Sequence, residues 1–283
     1  MEIRDHIENI IQNTFKAIDE VYKNNKNPKA EPENAKNGRL VFPNYRDKSI
    51  VRVSEQELRF IFVDQFINYC KENCGVFDYY YSVEVPTDYV YSFPHDNNEA
   101  PKVSKTNDEG KQSASIDMAI YKRASTRPVA IIEFKKDGCS AHEIAKDFLK
   151  LSVEPGGDEV LRFFIIISSS DTRLHKISKN GTNTKISGLL KSFLDKFDED
   201  CFCFDNSFDN NEELNWNTID IRWHRLPFDG EPQRNGNKEP IDSNDFTASF
   251  NYKGIGGNEN LKIVTKPSID ELTRLAEANN FKK

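Results

Sequence analysis

Two neighbouring stretches, SASIDMAIY (113–121) and VAIIEFKK (129–136), decide the fold that this sequence predicts. In the first stretch the apolar residues alternate at positions 114, 116, 118 and 120, which is the spacing of a strand. The second is almost wholly apolar before its charged end and has the composition of a second strand. The polar segment 122–128 between them predicts a short turn, through which the two strands can pair.

Three charged residues interrupt these apolar strands. Asp117 lies inside the first strand, and Glu133 and Lys135 lie inside the second. Residues two apart in a strand point to the same face, so Glu133 and Lys135 project together, and Asp117 can lie across from them. We therefore expect two carboxylates and an ammonium group to converge at one edge of a sheet.

Carboxylates in such apolar surroundings are costly unless they are paired or bound to a cation. Two close acids make a site for a hard divalent cation such as Mg²⁺ or Mn²⁺. The lysine can orient or deprotonate an attacking water, or neutralise an oxyanion. The alternative is structural: Glu133 and Lys135 form an exposed edge pair, and Asp117 joins a surface salt bridge.

The flanking sequence predicts helices and a further strand. Ser54 and Glu57 form a capping box at the start of a helix over 55–73. Residues 77–93 indicate either a bent strand or a hairpin, residues 141–153 a helix, and LRFFIIIS (161–168) a buried central strand. Because a helix and a strand alternate late in this order, we expect a parallel pair inside a mixed sheet.

The pattern S-I-D117…I-I-E133-F-K135, with this order of elements, resembles the PD-(D/E)xK nuclease superfamily over roughly residues 54–170. The helix SEQELRFIFVDQFINYC further resembles the N-terminal nuclease domain of type I restriction enzyme motor subunits. Ile116 stands where the motif is named for proline, and no phosphate-binding G-x-x-x-x-G-K-[ST] loop occurs. The resemblance implies an α/β, restriction-endonuclease-like core with a central mixed β-sheet flanked by helices.

The resemblance also implies roles for the motif residues. Asp117 and Glu133 would bind Mg²⁺ or Mn²⁺, with the backbone carbonyl of Phe134 as an extra ligand. Lys135 would serve the attacking water.

Further residues follow from the same resemblance. Glu55 of the first helix would support a second metal or a water, and Glu57 is the alternative. Lys136 could share the role of the motif lysine or contact nucleic acid. Lys146 and Lys150, four apart on one helix, would contact the phosphate backbone.

The remaining chain divides into an N-terminal helix with a linker (1–53), the nuclease-like core (54–200) and a C-terminal α/β extension (201–283). Helices are expected over 2–23, 186–197 and from Ser268, and strands over 201–204, 217–226 and 245–253. Residues 254–257 read as a turn-like loop. The C-terminal region is expected either to extend the sheet or to form a small second lobe.

Composition limits the class of protein. The chain has 283 residues, a net charge of −7 and five cysteines. Neither a membrane-length apolar run nor a signal-peptide pattern occurs, so we expect a cytoplasmic protein without a disulfide framework and with no membrane partner. Residues 22–53 carry an excess of basic side chains, so the net charge does not exclude a polyanion.

Other candidate sites are weaker. Cys70, Cys74, Cys201 and Cys203 could form a split zinc site with His142 or His224, but their spacing matches no common zinc pattern, and buried thiols are favoured. Nothing near Cys139 suggests a Cys–His nucleophile, and Trp216 and Trp223 are expected to pack in the core.

The function predicted is Mg²⁺-dependent phosphodiester hydrolysis by a nuclease, with DNA as the expected substrate and endonucleolytic cutting as the expected mode. The alternative is a catalytically inactive nucleic-acid-binding or scaffold protein. The expected partners besides DNA are a second copy of the chain or a motor or specificity subunit.

Overall fold

A computed structural model describes residues 2–25, 54–92, 102–104, 114–136, 141–156, 159–168, 202–204, 217–226, 244–251, 254–256 and 262–264. The helices are α1 (Ile3–Asn25), α2 (Glu55–Glu72) and α3 (Ala141–Val153). The longer strands are β1 (Tyr79–Pro86), β4 (Ser115–Lys122), β5 (Pro128–Lys136), β6 (Leu161–Ser168), β8 (Thr218–Arg225) and β9 (Asn244–Asn251). The three-residue strands are β2 (Val90–Ser92), β3 (Lys102–Ser104), β7 (Phe202–Phe204), β10 (Gly254–Gly256) and β11 (Lys262–Val264).

The longer strands form one mixed sheet in the order β1-β4-β5-β6-β8-β9. β5, β6 and β8 run parallel, and the other neighbours are antiparallel. The fold is therefore mixed α/β, and the expected parallel pair inside a mixed sheet is confirmed. The short strands form a second sheet in the order β10-β11-β7-β3-β2.

Two helices cover one face of the first sheet. Apolar residues of α1 and α2, among them Phe15 and Phe62, form one core cluster with Met118, Ile132 and Phe163 of the strands. The start of α2 is set by the capping box: Ser54 Oγ accepts from the Glu57 N–H at 3.2 Å, and Glu57 Oε2 accepts from the Ser54 N–H at 3.3 Å. The predicted capping box is confirmed.

α3 packs on the opposite face. Side chains alternate along β5, so Glu133 points away from the face to which Ile132 belongs. Lys150 of α3 contacts Glu133, and α3 contacts β5, β6 and β8. The sheet therefore lies between two helical layers, and the motif strands β4 and β5 lie where residues from both layers reach them.

α1 is held to β8 by ion pairs as well as by apolar packing. Arg4 pairs with Asp220, and Arg222 Nε donates to both carboxylate oxygens of Glu8 at 3.0 and 2.9 Å. His224 Nε2 lies 2.8 Å from Asp19 Oδ1. α1 therefore joins the central sheet through a strand from the far part of the chain.

Several predicted elements have the predicted bounds, and others differ. The helix over 141–153 and the strand over 161–168 are confirmed. Residues 77–93 form two strands, β1 and β2, which belong to different sheets because β2 pairs with β3. The segment 254–257 was expected to be a turn, but residues 254–256 form β10, because they pair with a strand that the sequence analysis did not predict, β11.

The described C-terminal strands follow the first of the expected alternatives only in part, and they form no separate lobe, since the second sheet also contains β2 and β3. β8 and β9 extend the central sheet, whereas β7, β10 and β11 belong to the second sheet. The helices predicted over 186–197 and from Ser268 lie outside the described residues. Within the parts of the chain that are described, no helix is both long and apolar enough to cross a bilayer.

Candidate active site

The two motif carboxylates lie at adjacent positions of paired strands. Met118 of β4 pairs with Ile132 of β5; Asp117 precedes the first of these residues and Glu133 follows the second. The Phe134 N–H donates to Asp117 Oδ2 at 2.8 Å, which holds this carboxylate against β5. Both side chains are buried. The antiparallel register thus brings the two acids together on the central strands.

Glu133 is fully buried and only partly neutralised. Lys150 Nζ lies 2.6 Å from Glu133 Oε1, whereas Oε2 has no hydrogen-bond partner among the described residues. Burial raises the pKa of Glu133 well above its ordinary value, and the charges of Asp147 and Asp117 act in the same direction against Lys150. An unpartnered buried carboxylate oxygen is costly, and a bound cation would remove that cost.

Lys135 is a protonated cation held by two acids. Its Nζ lies 2.7 Å from Asp147 Oδ2 and 3.4 Å from Glu55 Oε2. Burial acts to lower the pKa of Lys135, but the charge of Asp147, its hydrogen bond and the charge of Glu55 outweigh burial, so the pKa is raised. The ammonium group therefore keeps its proton at neutral pH and acts as a fixed positive charge.

Lys150 lies inside the cluster rather than on an exposed face of α3. Its Nζ donates to the Ser115 carbonyl oxygen at 2.7 Å and pairs with Asp147 Oδ1 at 2.8 Å, in addition to Glu133. This position differs from the expected one beside a phosphate backbone. The reason is that Leu149 and Leu151, on either side of Lys150, are buried, which turns this part of α3 toward the sheet.

Asp147 is a site residue that the sequence analysis missed. Its carboxylate bridges the ammonium groups of Lys135 and Lys150. One signal in the sequence could have indicated it: Asp147 and Lys150 are an i,i+3 charge pair among apolar residues of a predicted helix.

The first turns of α2 complete the cluster. Arg59 Nη2 donates to Glu55 Oε1 at 2.9 Å and also to Asp117 Oδ1, and its Nη1 donates to Glu84 Oε1 at 2.7 Å. Glu55 thus reaches the site, whereas Glu57, the alternative residue, caps the helix. Burial raises the pKa of Glu55, against the opposing charge of Lys135.

Of the other predicted residues, Phe134 reaches the site through its backbone N–H, and the rest lie further out or outside the described residues. The Phe134 ring packs in the core, while Lys136 and Lys146 are partly exposed. Cys70 is a half-buried free thiol and Cys74 an exposed one, so the expectation of buried thiols is wrong for Cys74. Trp223 is buried, as expected of a core residue. Cys139, Cys201, Trp216 and the side chain of His142 lie outside the described residues, whereas Cys203 belongs to β7 and pairs with β3 and β11 through its backbone.

The structure does not support the alternative of an exposed edge pair. β5 lies between β4 and β6 in the interior of the sheet, Glu133 is 0% exposed and Asp117 is 7% exposed. Because these charges are shielded from water, solvation at the surface does not explain why they are tolerated.

The acidic side chains of the cluster outnumber its basic side chains. Four carboxylates, of Glu55, Asp117, Glu133 and Asp147, face three cations, of Arg59, Lys135 and Lys150. Over the described residues, no group of three His, Cys, Asp or Glu side chains is already arranged to hold one metal ion. Carboxylate oxygens and the unpartnered Glu133 Oε2 nevertheless match the ligand preference of Mg²⁺ and Mn²⁺, so the donor set fits such an ion.

In comparisons with known proteins, no family model, no curated protein and no solved structure matches this chain.

Proposed function

We propose that this protein is a divalent-metal-dependent nuclease that hydrolyses phosphodiester bonds, with DNA as its substrate. The observation that carries the proposal is that Asp117 and Glu133 lie side by side, buried, on two paired central strands, while Lys135 joins the same cluster through its ion pairs with Asp147 and Glu55. Burying charges at such a density is costly, and perturbed pKa values cluster at functional sites.

The topology supports a restriction-endonuclease-like core. Along the chain, α2, β1, the hairpin of β4 and β5, α3 and β6 occur in the order that this type of core uses, with the short strands β2 and β3 inserted between β1 and β4. β5 and β6 run parallel, with α3 as the connection between them. The acids lie on the hairpin and the flanking helices supply Glu55, Asp147 and Lys150.

The chain's own residues have separable roles. Asp117 and Glu133 hold the metal, with Glu55 beside them. When bound, a Mg²⁺ or Mn²⁺ ion acidifies water and neutralises charge on the phosphate. Lys135, which keeps its proton, stabilises negative charge on the phosphate or orients the attacking water by donating a hydrogen bond.

The pair on α3 positions these groups. Asp147 fixes the Lys135 ammonium group, and Lys150 holds Glu133 Oε1 and the Ser115 carbonyl oxygen. Catalysis gains from groups that are held in place before the substrate arrives. Lys136 and Lys146, which are partly exposed, remain the candidates for contacts with the phosphate backbone.

Cleavage of plasmid, linear and single-stranded DNA in Mg²⁺, in Mn²⁺ and in EDTA tests the proposal. We expect cutting by the wild-type protein with either metal, none in EDTA, and none from Asp117→Asn or Lys135→Ala. Lys16→Ala, at an exposed position of α1, is the matched control and should cut like wild type. Undiminished cutting by the Asp117 or Lys135 variant would reject the assignment of the site.

One observation favours a second candidate, a nucleic-acid-binding or scaffold protein that keeps this fold without turnover. Arg59, Lys135 and Lys150 together contact every carboxylate of the cluster, so its charges are largely paired without a metal. Calorimetric titration with Mn²⁺ separates the two functions. A nuclease site should bind the ion and lose binding in Glu133→Gln, whereas a purely structural cluster should show no binding in either protein. Cutting that appears only when a motor or specificity protein is added would assign the chain to a larger enzyme.

A further inference from the structure

One arginine of α2, Arg59, contacts two acids of the candidate site. The Arg59 guanidinium group donates to Glu55 and to Asp117 through Nη2, and to Glu84 through Nη1. Glu55 and Asp117 are the acids for which metal ligation or support is proposed above. A side-chain cation therefore already lies between two groups that would surround the metal.

Both oxygens of Asp117 are engaged. Oδ1 accepts from Arg59, and Oδ2 accepts from the Phe134 N–H at 2.8 Å. The Phe134 N–H belongs to the backbone of a central strand, so it moves only if the sheet moves. A metal ion that ligates Asp117 through Oδ1 must therefore take this oxygen from the guanidinium group.

Of the three cations of the cluster, Arg59 can most easily move away from its partners. Its side chain is 25% exposed, against 13% for Lys135 and 9% for Lys150. Lys150 and Arg59 each contact three oxygens, so it is exposure and not the number of contacts that distinguishes them. Arg59 instead lies on the open side of the site.

Glu84 offers the guanidinium group a second position. Its side chain is 59% exposed on β1, and it is oriented by the Ser115 hydroxyl, which donates to Glu84 Oε2 at 2.9 Å. Arg59 already donates to the other Glu84 oxygen at 2.7 Å. The arginine can keep this contact when it leaves Asp117, so it need not lose all its partners.

We propose that Arg59 is a built-in competitor of the metal: it occupies Asp117 in the metal-free protein, moves toward Glu84 when the ion binds, and so sets the metal concentration at which the site fills. This inference rests on the proposed function, because it concerns the regulation of the same site. Hydrogen bonds between charged groups are among the stronger contacts of proteins, so the competition is expected to be measurable.

Calorimetric titration with Mn²⁺ tests the competition without any measurement of cutting. Arg59→Gln should bind Mn²⁺ about tenfold more tightly than wild type, since one charge-assisted contact is no longer broken. Arg59→Lys keeps the charge but loses the planar fork, and it should bind about threefold more tightly. Arg123→Gln removes the same charge at an exposed pair with Asp78 and should leave the affinity unchanged.

The outcomes separate this inference from the function on which it rests. Equal or weaker binding by both Arg59 variants, with binding by wild type that is lost in Glu133→Gln, would overturn the competition and leave the metal site standing. An equal gain in Arg123→Gln would also overturn it, because net charge alone would then explain the effect. If none of the proteins binds Mn²⁺, the proposed metal-dependent function fails together with the competition. Far-UV circular dichroism shows which variants are folded. If Arg59→Gln is not folded, the affinity of Arg59→Lys is compared with that of the wild type instead.

Discussion

Replacement of Lys150 by Met should destabilise the protein far more than the replacement of an ordinary surface lysine. The substitution keeps a long apolar side chain of similar shape but removes the ammonium group. Its three acceptors, Glu133 Oε1, the Ser115 carbonyl oxygen and Asp147 Oδ1, then lose the cation that they share. The loss affects Glu133 most, because its other carboxylate oxygen has no hydrogen-bond partner in the described residues.

The magnitude follows from burial. The side chain of Lys150 is 9% exposed and that of Glu133 is 0% exposed, so water does not replace the lost contact. Removal of one partner of a buried ion pair typically costs about 3–5 kcal/mol. We expect the free energy of unfolding at pH 7 to fall by that order. The double variant Lys150→Met/Glu133→Gln should lose roughly 1–3 kcal/mol less than the sum of the single losses, because the two residues are directly coupled.

Urea unfolding followed by circular dichroism measures these differences. Lys16→Met, at an exposed position of α1, is the matched control and should change stability by no more than about 0.5 kcal/mol. A loss in Lys150→Met as small as in this control would refute the reasoning, since it would mean that the buried cluster is solvated or that Lys150 lies outside it. Additive losses in the double variant would refute the coupling.

Three other predictions concern different residues. Gly156→Ala should lower the melting temperature, because Gly156 has φ +128° and an added Cβ would lie 2.5 Å from a methyl carbon of Val160; an unchanged melting temperature by differential scanning calorimetry would contradict this. Burial raises the pKa of Glu154, so the Glu154 carboxyl group binds a proton more tightly in the folded state than in the unfolded chain. The folded state therefore loses stability as the pH rises from the unfolded pKa of Glu154 toward its folded pKa. Glu154→Gln should lack this dependence, and a stability difference from wild type that is constant over a series of urea unfolding curves between about pH 4 and pH 8 would show that the residue does not titrate in this way. Asp147→Asn should lower the turnover number for DNA cleavage about tenfold or more with less change in Mn²⁺ affinity, because it releases Lys135 but leaves Asp117 and Glu133 in place, and a loss confined to metal affinity would contradict the positioning role.

Local patterns in the sequence were sufficient to predict the elements that carry the motif. The alternation in 113–121, the apolar run in 161–168 and the capping box at Ser54 are signals that a short segment contains by itself. The hairpin of β4 and β5 follows because only a short turn separates the strands. The same patterns placed Asp117, Glu133 and Lys135 on strands that can share one site.

Contacts between distant segments could not be read in this way. Arg59 reaches Asp117 across 58 positions of the chain, and nothing near either residue indicates the other. The inward turn of Lys150 depends on which face of α3 packs against the sheet. The second sheet is built from three-residue strands, which are too short to show a periodicity, and its pairing of β3 with β7 joins residues about 100 positions apart.

The polar contacts between α1 and β8 have a consequence for how the protein is made. They join residues that are 205–216 positions apart, so the helix at the beginning of the chain meets its partners only after β8 has left the ribosome. At about 5–20 residues per second, that delay is on the order of 10–40 seconds. Throughout it the apolar side of α1, with Ile7, Ile10 and Phe15, lacks part of its final cover and presents a surface that a chaperone can shield during translation.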